Sequence, residues 1–454
     1  MDNTAFARDV VSGAIKQLVP FTRTQMDATT AVLVLLAYKV RCDNPRLFDV
    51  QADDPVWREM LADRTSVLET FTQRLEELAR RDARCRFWPA ALTLPGEAAE
   101  AFATCAYRMD NVYLGAETRQ HLASLAGPLV DFALRQDRGS ELASYTAFRS
   151  LARVTASLLE PKAGDRIYDS ACGLLEQLIA VQLQHPETPL HLYGQDSNLL
   201  ALALAQIKAL MNGIDDVQLE LGDTLASPGF REEGRPRQFE IVVSTPPFGL
   251  RTTDPAQILQ LPGRFPYGEP RSRNLELSFA QDALYRTLRG GQTLVTVPSG
   301  VLSRSGQEAE IRRSMLATGL LNLVVSLPMG TLVPLTRIHV HLLRFQAGSE
   351  ERQDQVLFVD ATQDPFKVAF GMPEPDVAVW VQQLIERPEN FPTQARWVSH
   401  EEIERQGMNW LPEIYFASEE PPPDLDALHH EVGRQTQVAD LARTAFLNAL
   451  KEIK

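Results

Sequence analysis

Over about the first 140 residues, apolar side chains recur at three- and four-residue spacing between charged ones, which is the pattern of amphipathic helices. Segments 56–81 and 117–136 show this spacing most clearly. Residues 31–38 form a short, strongly apolar run that fits a buried helix or a buried strand, and its helical neighbours favour the helix. The pattern therefore predicts an N-terminal helical domain over residues 1–140.

From about residue 165, short β-rich runs alternate with amphipathic stretches. The predicted strands are 166–169, 190–194, 217–221, 240–244, 291–297, 321–327 and 337–345. The predicted helices are 173–185, 197–213, 275–289 and 305–319. Alternation of this kind predicts an α/β domain with a parallel, doubly wound sheet, which we place at residues 141–365.

After about residue 365 the periodic pattern loosens. Three consecutive prolines at 421–423 are a stiff break, and residues 424–454 again show helical spacing of apolar side chains. A lone terminal helix usually docks on its own domain or on a partner. We therefore expect a C-terminal extension over residues 366–454 that ends in a partner-contacting helix.

The charge balance limits how this chain can contact nucleic acid. Its formal net charge is −14 at pH 7, which argues against a protein that grips DNA over its whole surface. Any DNA contact is then expected from a local basic groove or from a partner chain. The four cysteines form no CxxC pair, the N-terminus lacks a signal-peptide pattern, and no apolar run approaches the roughly 20 residues that span a bilayer. These features predict a cytoplasmic protein without a metal site or membrane contact.

In a doubly wound sheet, ligands bind at the carboxyl ends of the strands. The first predicted strand ends in Asp169-Ser170-Ala171-Cys172-Gly173. A glycine at this turn lets backbone approach a ligand, and the N-terminus of the following helix favours an anionic group. A glycine after a strand is also the mark of a plain turn.

Acidic residues follow the next two strands. Asp196 can accept the ribose hydroxyls of an adenosine-type cofactor, whereas the alternative, favoured for this residue taken alone, is an N-cap for the helix at 197–213. Asp223 lies in Gly222-Asp223-Thr224 and can take the adenine amino group of such a cofactor. Its alternative is turn formation, for which Gly-Asp is well suited.

The most specific motif is Ser-Thr-Pro-Pro-Phe-Gly at 244–249, directly after the fourth strand. Pro246 and Pro247 cannot continue a strand ladder, so they fix a rigid extended loop. Phe248 then offers a ring on which a base could stack. A proline-stiffened strand exit explains the two prolines, but it does not explain the whole ordered series of motifs.

In this order the motifs resemble those of the amino-methylating DNA methyltransferases, in particular the modification subunit of type I restriction systems. That family carries Asp-Pro-Ala-Cys-Gly-Ser-Gly at the first turn and Asn-Pro-Pro-Phe after the fourth strand, and the resemblance covers about residues 140–365. It implies a class I S-adenosylmethionine-dependent methyltransferase fold. It also implies methyl transfer from S-adenosyl-L-methionine to the exocyclic amino group of a DNA adenine that is flipped out of the duplex.

The resemblance assigns roles to residues by position. The cofactor-binding residues it implies are Asp169, Ala171, Gly173, Asp196 and Asp223. The catalytic, base-binding residues it implies are Thr245, Pro246, Pro247 and Phe248. The side chain at 245 and the Pro246 carbonyl would accept hydrogen bonds from the amino group, and the Phe248 ring would stack on the base. The implied partners are DNA, a specificity subunit, a second modification subunit and a nuclease or translocase subunit.

Two departures from the family pattern bear on catalysis. Thr245 stands where the family has asparagine, and Leu-Leu-Glu at 174–176 replaces Ser-Gly-Gly. Leu175 is expected to place a branched side chain beside the methionine end of the cofactor, and Glu176 to add negative charge there. One hypothesis is therefore a pseudoenzyme with little or no methylation. The other is an active methyltransferase with a relaxed motif. A nicotinamide-dependent oxidoreductase is disfavoured because no GxGxxG follows the first strand.

Two further sets of polar residues have competing interpretations. Arg264, Arg271 and Arg273 fit a phosphate-contacting loop or ordinary solvated charge equally well. His339 and His341 alternate along one strand, and a structural role is favoured over metal ligation because no third ligand is in view.

Overall fold

The computed structural model describes residues 3–50, 57–136, 149–332, 336–346, 354–362 and 377–416. The chain divides into two compact units, residues 1–412 and 413–454, and only residues 413–416 of the second unit are described. The predicted terminal helix at 424–454 and the proline break before it lie outside the described residues, as do the predicted domain boundaries near residues 140 and 365. Those boundaries stay predictions.

The elements have the following bounds. The helices are α1 (Asn3–Leu18), α2 (Gln25–Asp43), α3 (Trp57–Met60), α4 (Val67–Arg81), α5 (Ala99–Met109), α6 (Arg119–Gln136), α7 (Arg149–Ser157), α8 (Glu176–Gln184), α9 (Leu199–Met211), α10 (Pro255–Ile258), α11 (Glu276–Tyr285), α12 (Ser299–Ser303), α13 (Gln307–Leu316), α14 (Val377–Glu386) and α15 (His400–Arg405). The strands are β1 (Arg166–Asp169), β2 (His191–Asp196), β3 (Val217–Leu221), β4 (Arg231–Glu232), β5 (Arg235–Pro236), β6 (Phe239–Ser244), β7 (Thr287–Pro298), β8 (Leu321–Ser326), β9 (Val340–Gln346), β10 (Gln355–Asp360) and β11 (Ala395–Ser399).

The N-terminal part is helical: α1 to α6 succeed one another, and no strand occurs among its described residues. The apolar run 31–38 lies inside α2 and is wholly buried, so the helix interpretation is confirmed. A capping box begins this helix, because the Thr24 side chain accepts from the Asp27 amide and the Asp27 carboxylate accepts from the Thr24 amide.

The main sheet has the strand order β11-β10-β8-β9-β7-β6-β1-β2-β3. From β7 through β6, β1 and β2 to β3 all pairings are parallel, which confirms the doubly wound prediction for this part. The late strand predicted at 337–345 is β9, which runs antiparallel to both β7 and β8, a direction that the sequence pattern did not specify. A parallel connection from β8 to β9 would need a long crossover, usually a helix. The described residues of the link at 327–339 contain no helix, so the chain turns back and β9 runs antiparallel beside β8.

The sheet also extends further than the sequence pattern indicates. Strand β10 pairs in parallel with β8, and β11 pairs antiparallel with β10 at the edge of the sheet. The sequence gives only a weak signal for β11, because only Ala395 and Val398 of its five residues are buried. The expectation of loose structure after residue 365 therefore misses this strand and the helices α14 and α15.

A buried ion-pair cluster connects the N-terminal helices to the sheet domain. Lys208 on α9 lies between Asp131 of α6, at 3.3 Å, and Glu176, the first residue of α8. All three side chains are at least nine-tenths buried. In addition, the Gln206 side chain accepts from the Phe87 amide and donates to the Ala83 carbonyl. The helical part thereby fixes both α8 and α9.

We expect Lys208→Met to lower the free energy of unfolding by about 3–5 kcal/mol, because it leaves the buried Glu176 carboxylate without its cation, whereas Asp131 keeps its ion pair with Arg149. Urea unfolding followed by circular dichroism measures the change. The matched control is Lys162→Met at an exposed lysine, which should change stability by less than about 0.5 kcal/mol. Equal effects of the two substitutions would show that the cluster contributes nothing specific.

Candidate nucleotide and base site

Four carboxyl strand ends meet at one edge of the sheet. β6, β1, β2 and β3 are successive parallel neighbours, and their last residues lead into the four predicted motifs. The chain changes direction across the sheet between β1 and β6, which is where ligands bind in such sheets. A cavity of about 530 Å³ opens at this edge. Its lining residues are Ser170, Ala171, Asp196, Ser197, Asn198, Gly222, Asp223, Thr224, Thr245, Pro246, Pro247, Phe248, Leu250, Phe279, Thr336 and Ile338.

A second, smaller cavity of about 50 Å³ shares Ala171 and Thr245 with the first. Its lining residues are Asp169, Ala171, Cys172, Gly173, Leu174, Glu176, Gln177 and Thr245. Together the two cavities contain every cofactor-binding and catalytic residue that the resemblance implies. Which of these residues bind a ligand stays a prediction.

The first turn is held by hydrogen bonds to its own backbone. Asp169 is 1% exposed, and its carboxylate accepts from the Ala171 amide at 3.0 Å. Burial, together with the nearby charge of Asp196, raises the pKa of Asp169 to about 7. Gly173 has φ +48°, a left-handed conformation that glycine adopts without a steric penalty.

Asp196 holds the first turn against the second strand. One carboxylate oxygen accepts from the Gly173 amide at 2.9 Å, and the other accepts from the Asn198 amide at 2.8 Å. Burial raises the pKa of Asp196. The N-cap of α9 is Asn198, whose side chain accepts from two amides of the first helical turn. The alternative role of Asp196 as the N-cap is therefore wrong.

Asp223 forms the expected turn and also lies at the larger cavity, and its role toward a cofactor stays a prediction. Its carboxylate accepts from the amides of Leu225 and Ala226, at 2.8 and 3.1 Å, which is the expected turn chemistry. It also lines the larger cavity. The turn therefore presents this carboxylate at the strand edge and restricts its orientation.

Residues outside the Thr-Pro-Pro-Phe loop at 245–248 hold it in place. Thr245 accepts from the Gln177 side chain at 2.7 Å and donates to the Thr296 hydroxyl at 3.0 Å. The half-buried Phe248 ring packs against the hydrophobic core. The next amide, of Gly249, donates to the buried carboxylate of Glu276 at 2.7 Å.

Of the two obstacles expected at the first turn, the Leu175 side chain does not line either cavity, and the charge of Glu176 is paired. Leu175, at the position where the family has glycine, has a left-handed φ of +63°, and its side chain is completely buried in the core and lies outside both cavity linings. Glu176 does line the smaller cavity, yet its carboxylate pairs with Lys208, so its charge is offset. Leu174, an apolar side chain, also lines this cavity.

Sequence reasoning missed several side chains of the site, namely Gln177, Thr296, Glu276, Phe279 and Ile338. Thr296 had no signal in the sequence, because its place beside Thr245 follows from the pairing of Val295 with Ser244 across β7 and β6. Gln177 had none either, because a glutamine in the first turn of a helix is usually solvated.

The two interpretations of the arginine set both fail for Arg264. Its guanidinium is 1% exposed, pairs with Asp282 and donates to the carbonyls of Thr224 and Leu225. Its buried side chain stabilises the turn that contains Asp223. It therefore neither contacts phosphate nor lies in solvent. Arg271 and Arg273 are exposed, so both alternatives remain open for them.

The two histidines have structural partners. His341 is completely buried between the hydroxyls of Ser299 and Ser326, both at 2.8 Å, and burial lowers its pKa to about 3. His339 bonds to the Leu327 carbonyl at 2.7 Å. In the described ranges, no cluster of three or more potential metal ligands occurs, and no helix is long and apolar enough to cross a membrane.

Comparison with known proteins identifies the family. Residues 129–422, well over half of the chain, match the family model described as N-6 DNA Methylase. The chain belongs to the N-6 DNA methylase family. The predicted resemblance to the amino-methylating DNA methyltransferases is thereby confirmed.

Among individual proteins, the chain is 25% identical to the type I restriction enzyme HindI methylase subunit of Haemophilus influenzae over 267 residues. That match covers 57% of each chain, and the chain spans about half the length of the curated relatives it matches.

Solved structures agree on the fold. The type I restriction-modification system methyltransferase subunit of Streptococcus thermophilus superposes with a TM-score of 0.68 at 17% identity, covering 90% of this chain and 98% of that one. A Listeria monocytogenes protein described as a class I S-adenosylmethionine-dependent methyltransferase gives 0.53 at 15% identity, covering 85% and 98%. The predicted class I methyltransferase fold is confirmed.

The raised pKa of Asp169 has a consequence for stability. Because the folded chain holds this proton more tightly than the unfolded chain does, the contribution of Asp169 to the free energy of unfolding falls as pH rises from about 4 to about 7. Asparagine cannot ionise. We expect the stability of Asp169→Asn relative to the parent protein to increase by about 2 kcal/mol between pH 5 and pH 7.

Urea unfolding of both proteins at pH 5, 6, 7 and 8 measures this difference, and the comparison cancels the titration of groups that do not interact with Asp169. A difference that does not change with pH would contradict the raised pKa.

Proposed function

We propose that this chain is the methyltransferase-type subunit of a DNA adenine-N6 modification complex, within a restriction–modification or related phage-defence system, and that its methyl transfer is slow or absent. The observation that carries the proposal is the composition of the larger cavity. It combines two acidic strand ends, Asp196 and Asp223, with the Thr-Pro-Pro-Phe loop at 245–248. A nucleoside-type cofactor and a flipped base both find matching chemistry there.

The residues present fit the adenosine part of S-adenosyl-L-methionine. The larger cavity, at about 530 Å³, lies in the range usual for small-molecule sites. Asp196 would hold the ribose, and Asp223 would hold the adenine amino group. Asp169, Ala171 and Gly173 would hold the methionine part beside the smaller cavity. When bound, the cofactor supplies an electrophilic methyl group.

The base side of the site relies on positioning. The Pro246 carbonyl and the Thr245 hydroxyl would accept the hydrogen bonds of the adenine amino group, and the Phe248 ring would stack on the base. A hydroxyl has a shorter reach than the amide oxygen of asparagine. Losing one well-placed transition-state hydrogen bond lowers the rate by roughly 10²–10³-fold, which supports slow methyl transfer.

The charge of the chain supports a partner-dependent complex. With a net charge of −14, the chain needs help to hold a DNA duplex. The named relative from H. influenzae is a subunit of a type I restriction enzyme. By analogy, we propose a cytoplasmic complex on DNA with a specificity subunit, a second modification subunit and a nuclease or translocase subunit.

A fully active methyltransferase is the second candidate. It is favoured by the placement of Leu175 in the core and by the pairing of Glu176 with Lys208. Both features reduce the expected obstruction at the methionine end of the cofactor.

The substitution Thr245→Asn distinguishes the two candidates. If methyl transfer is slow because of Thr245, this variant should raise the single-turnover rate by roughly 10²–10³-fold. Transfer of labelled methyl groups from S-adenosylmethionine to unmodified DNA, by the complex purified with its native partners, measures the rate. Thr253→Asn, at an exposed loop position, is the matched control and should change nothing.

A parent complex that is already fast, with little gain from Thr245→Asn, would favour the second candidate. A complex in which neither protein transfers methyl groups or binds S-adenosylmethionine would contradict both candidates.

A further inference from the structure

We propose that Gln177 and Thr296 are positioning residues that hold the Thr245 hydroxyl as a hydrogen-bond acceptor toward the amino group of the target adenine. The inference rests on the proposed function, because it assumes that an adenine enters the cavity beside Thr245. It goes further by assigning roles to two residues that lie outside the family motifs.

The geometry is a chain of two hydrogen bonds from separate elements. Gln177, in the first turn of α8, donates its side-chain N–H to Thr245 at 2.7 Å. Thr245 donates its own proton to Thr296, near the end of β7, at 3.0 Å. Both supporting side chains belong to buried residues, Gln177 being 5% exposed and Thr296 being 1% exposed. Thr245 itself is only half-buried and lines both cavities.

These two hydrogen bonds determine whether the Thr245 hydroxyl donates to a ligand or accepts from it. A hydroxyl has one proton and two acceptor lone pairs, and it rotates to suit its neighbours. Here the proton is used by Thr296, and one lone pair is used by Gln177. What remains for a ligand is one lone pair. An adenine amino group, which presents N–H donors, therefore meets an acceptor of the same polarity as the carbonyl of the family's asparagine.

The position of Gln177 is itself fixed by the altered first turn. Glu176, the preceding residue, forms a buried ion pair with Lys208, which also contacts Asp131 at 3.3 Å. This pair anchors the first turn of α8. The substitutions at 174–176 and at 245 are thus connected through Gln177. The ion pair of Glu176 fixes the first turn of α8, and Gln177 in that turn donates a hydrogen bond to Thr245, the residue that replaces the family's asparagine.

The test measures how the full-length chain discriminates two small bases. The probes are 9-methyladenine and 9-methylpurine, which lacks the amino group, titrated by saturation-transfer NMR with sinefungin present to fill the cofactor site. The amino group adds one hydrogen bond to Thr245 and one to the Pro246 carbonyl, so 9-methyladenine should bind roughly ten- to 100-fold more tightly. Thr296→Val is nearly isosteric and frees the Thr245 proton, so it should remove the first of these bonds and reduce the preference by about three- to tenfold.

A double-variant comparison separates positioning from general structural support. In the Thr245→Asn background the carbonyl accepts without help, so Thr296→Val should leave the base preference unchanged. The matched control is Thr293→Val, a buried threonine on the same strand that bonds to Thr287 and lines neither cavity. It should preserve the preference in the parent chain.

Three results would overturn the proposal: equal affinity of the parent chain for the two bases, no binding of either base, or the same loss from Thr296→Val in both backgrounds. Failure of the proposed function would look different. In that case sinefungin would not bind and the Thr245→Asn complex would not methylate DNA, while the base preference, then measured without sinefungin, would still depend on Thr296.

Discussion

The parallel pairing of β6, β1, β2 and β3 is the constraint on which the site depends. Because these strands run in the same direction and lie side by side, the four segments that follow them reach the same edge. Residues more than 70 positions apart in sequence, such as Asp169 and Thr245, thereby come to line one cavity. Neither the prolines of the 245–248 loop nor the acidic strand ends would form a site without this alignment.

The first turn places a residue other than glycine in a left-handed conformation. A left-handed conformation costs roughly 1–2 kcal/mol for a residue other than glycine, and Leu175 adopts it. Complete burial of a leucine side chain contributes roughly 1.5–3 kcal/mol, which is enough to offset that strain. The glycine that follows in the family is here Glu176, whose burial depends on Lys208. The turn is therefore stabilised by the core and by a buried ion pair.

Local sequence patterns predicted the features that depend on local order. The strands β1, β2, β3 and β6, and the motif residues at their ends, follow from apolar runs and turn residues that are adjacent in sequence. The antiparallel direction of β9 and the weakly patterned strand β11 depend on pairing with distant segments, so short-range periodicity does not specify them. The same limit applies to the site: the carboxylates of Asp196 and Asp223 were found, whereas Gln177, Thr296 and the buried role of Arg264 depend on partners far along the chain.

The central claim is that the strand edge binds the adenosine part of S-adenosylmethionine through Asp196 although the first turn is altered. Isothermal titration calorimetry of the purified chain with S-adenosylmethionine, with adenosine run alongside, tests it most directly. The account predicts that both ligands bind and that Asp196→Asn weakens both equally, with circular dichroism showing that the variant is folded. Absence of binding by either ligand, or binding that Asp196→Asn leaves unchanged, would contradict it.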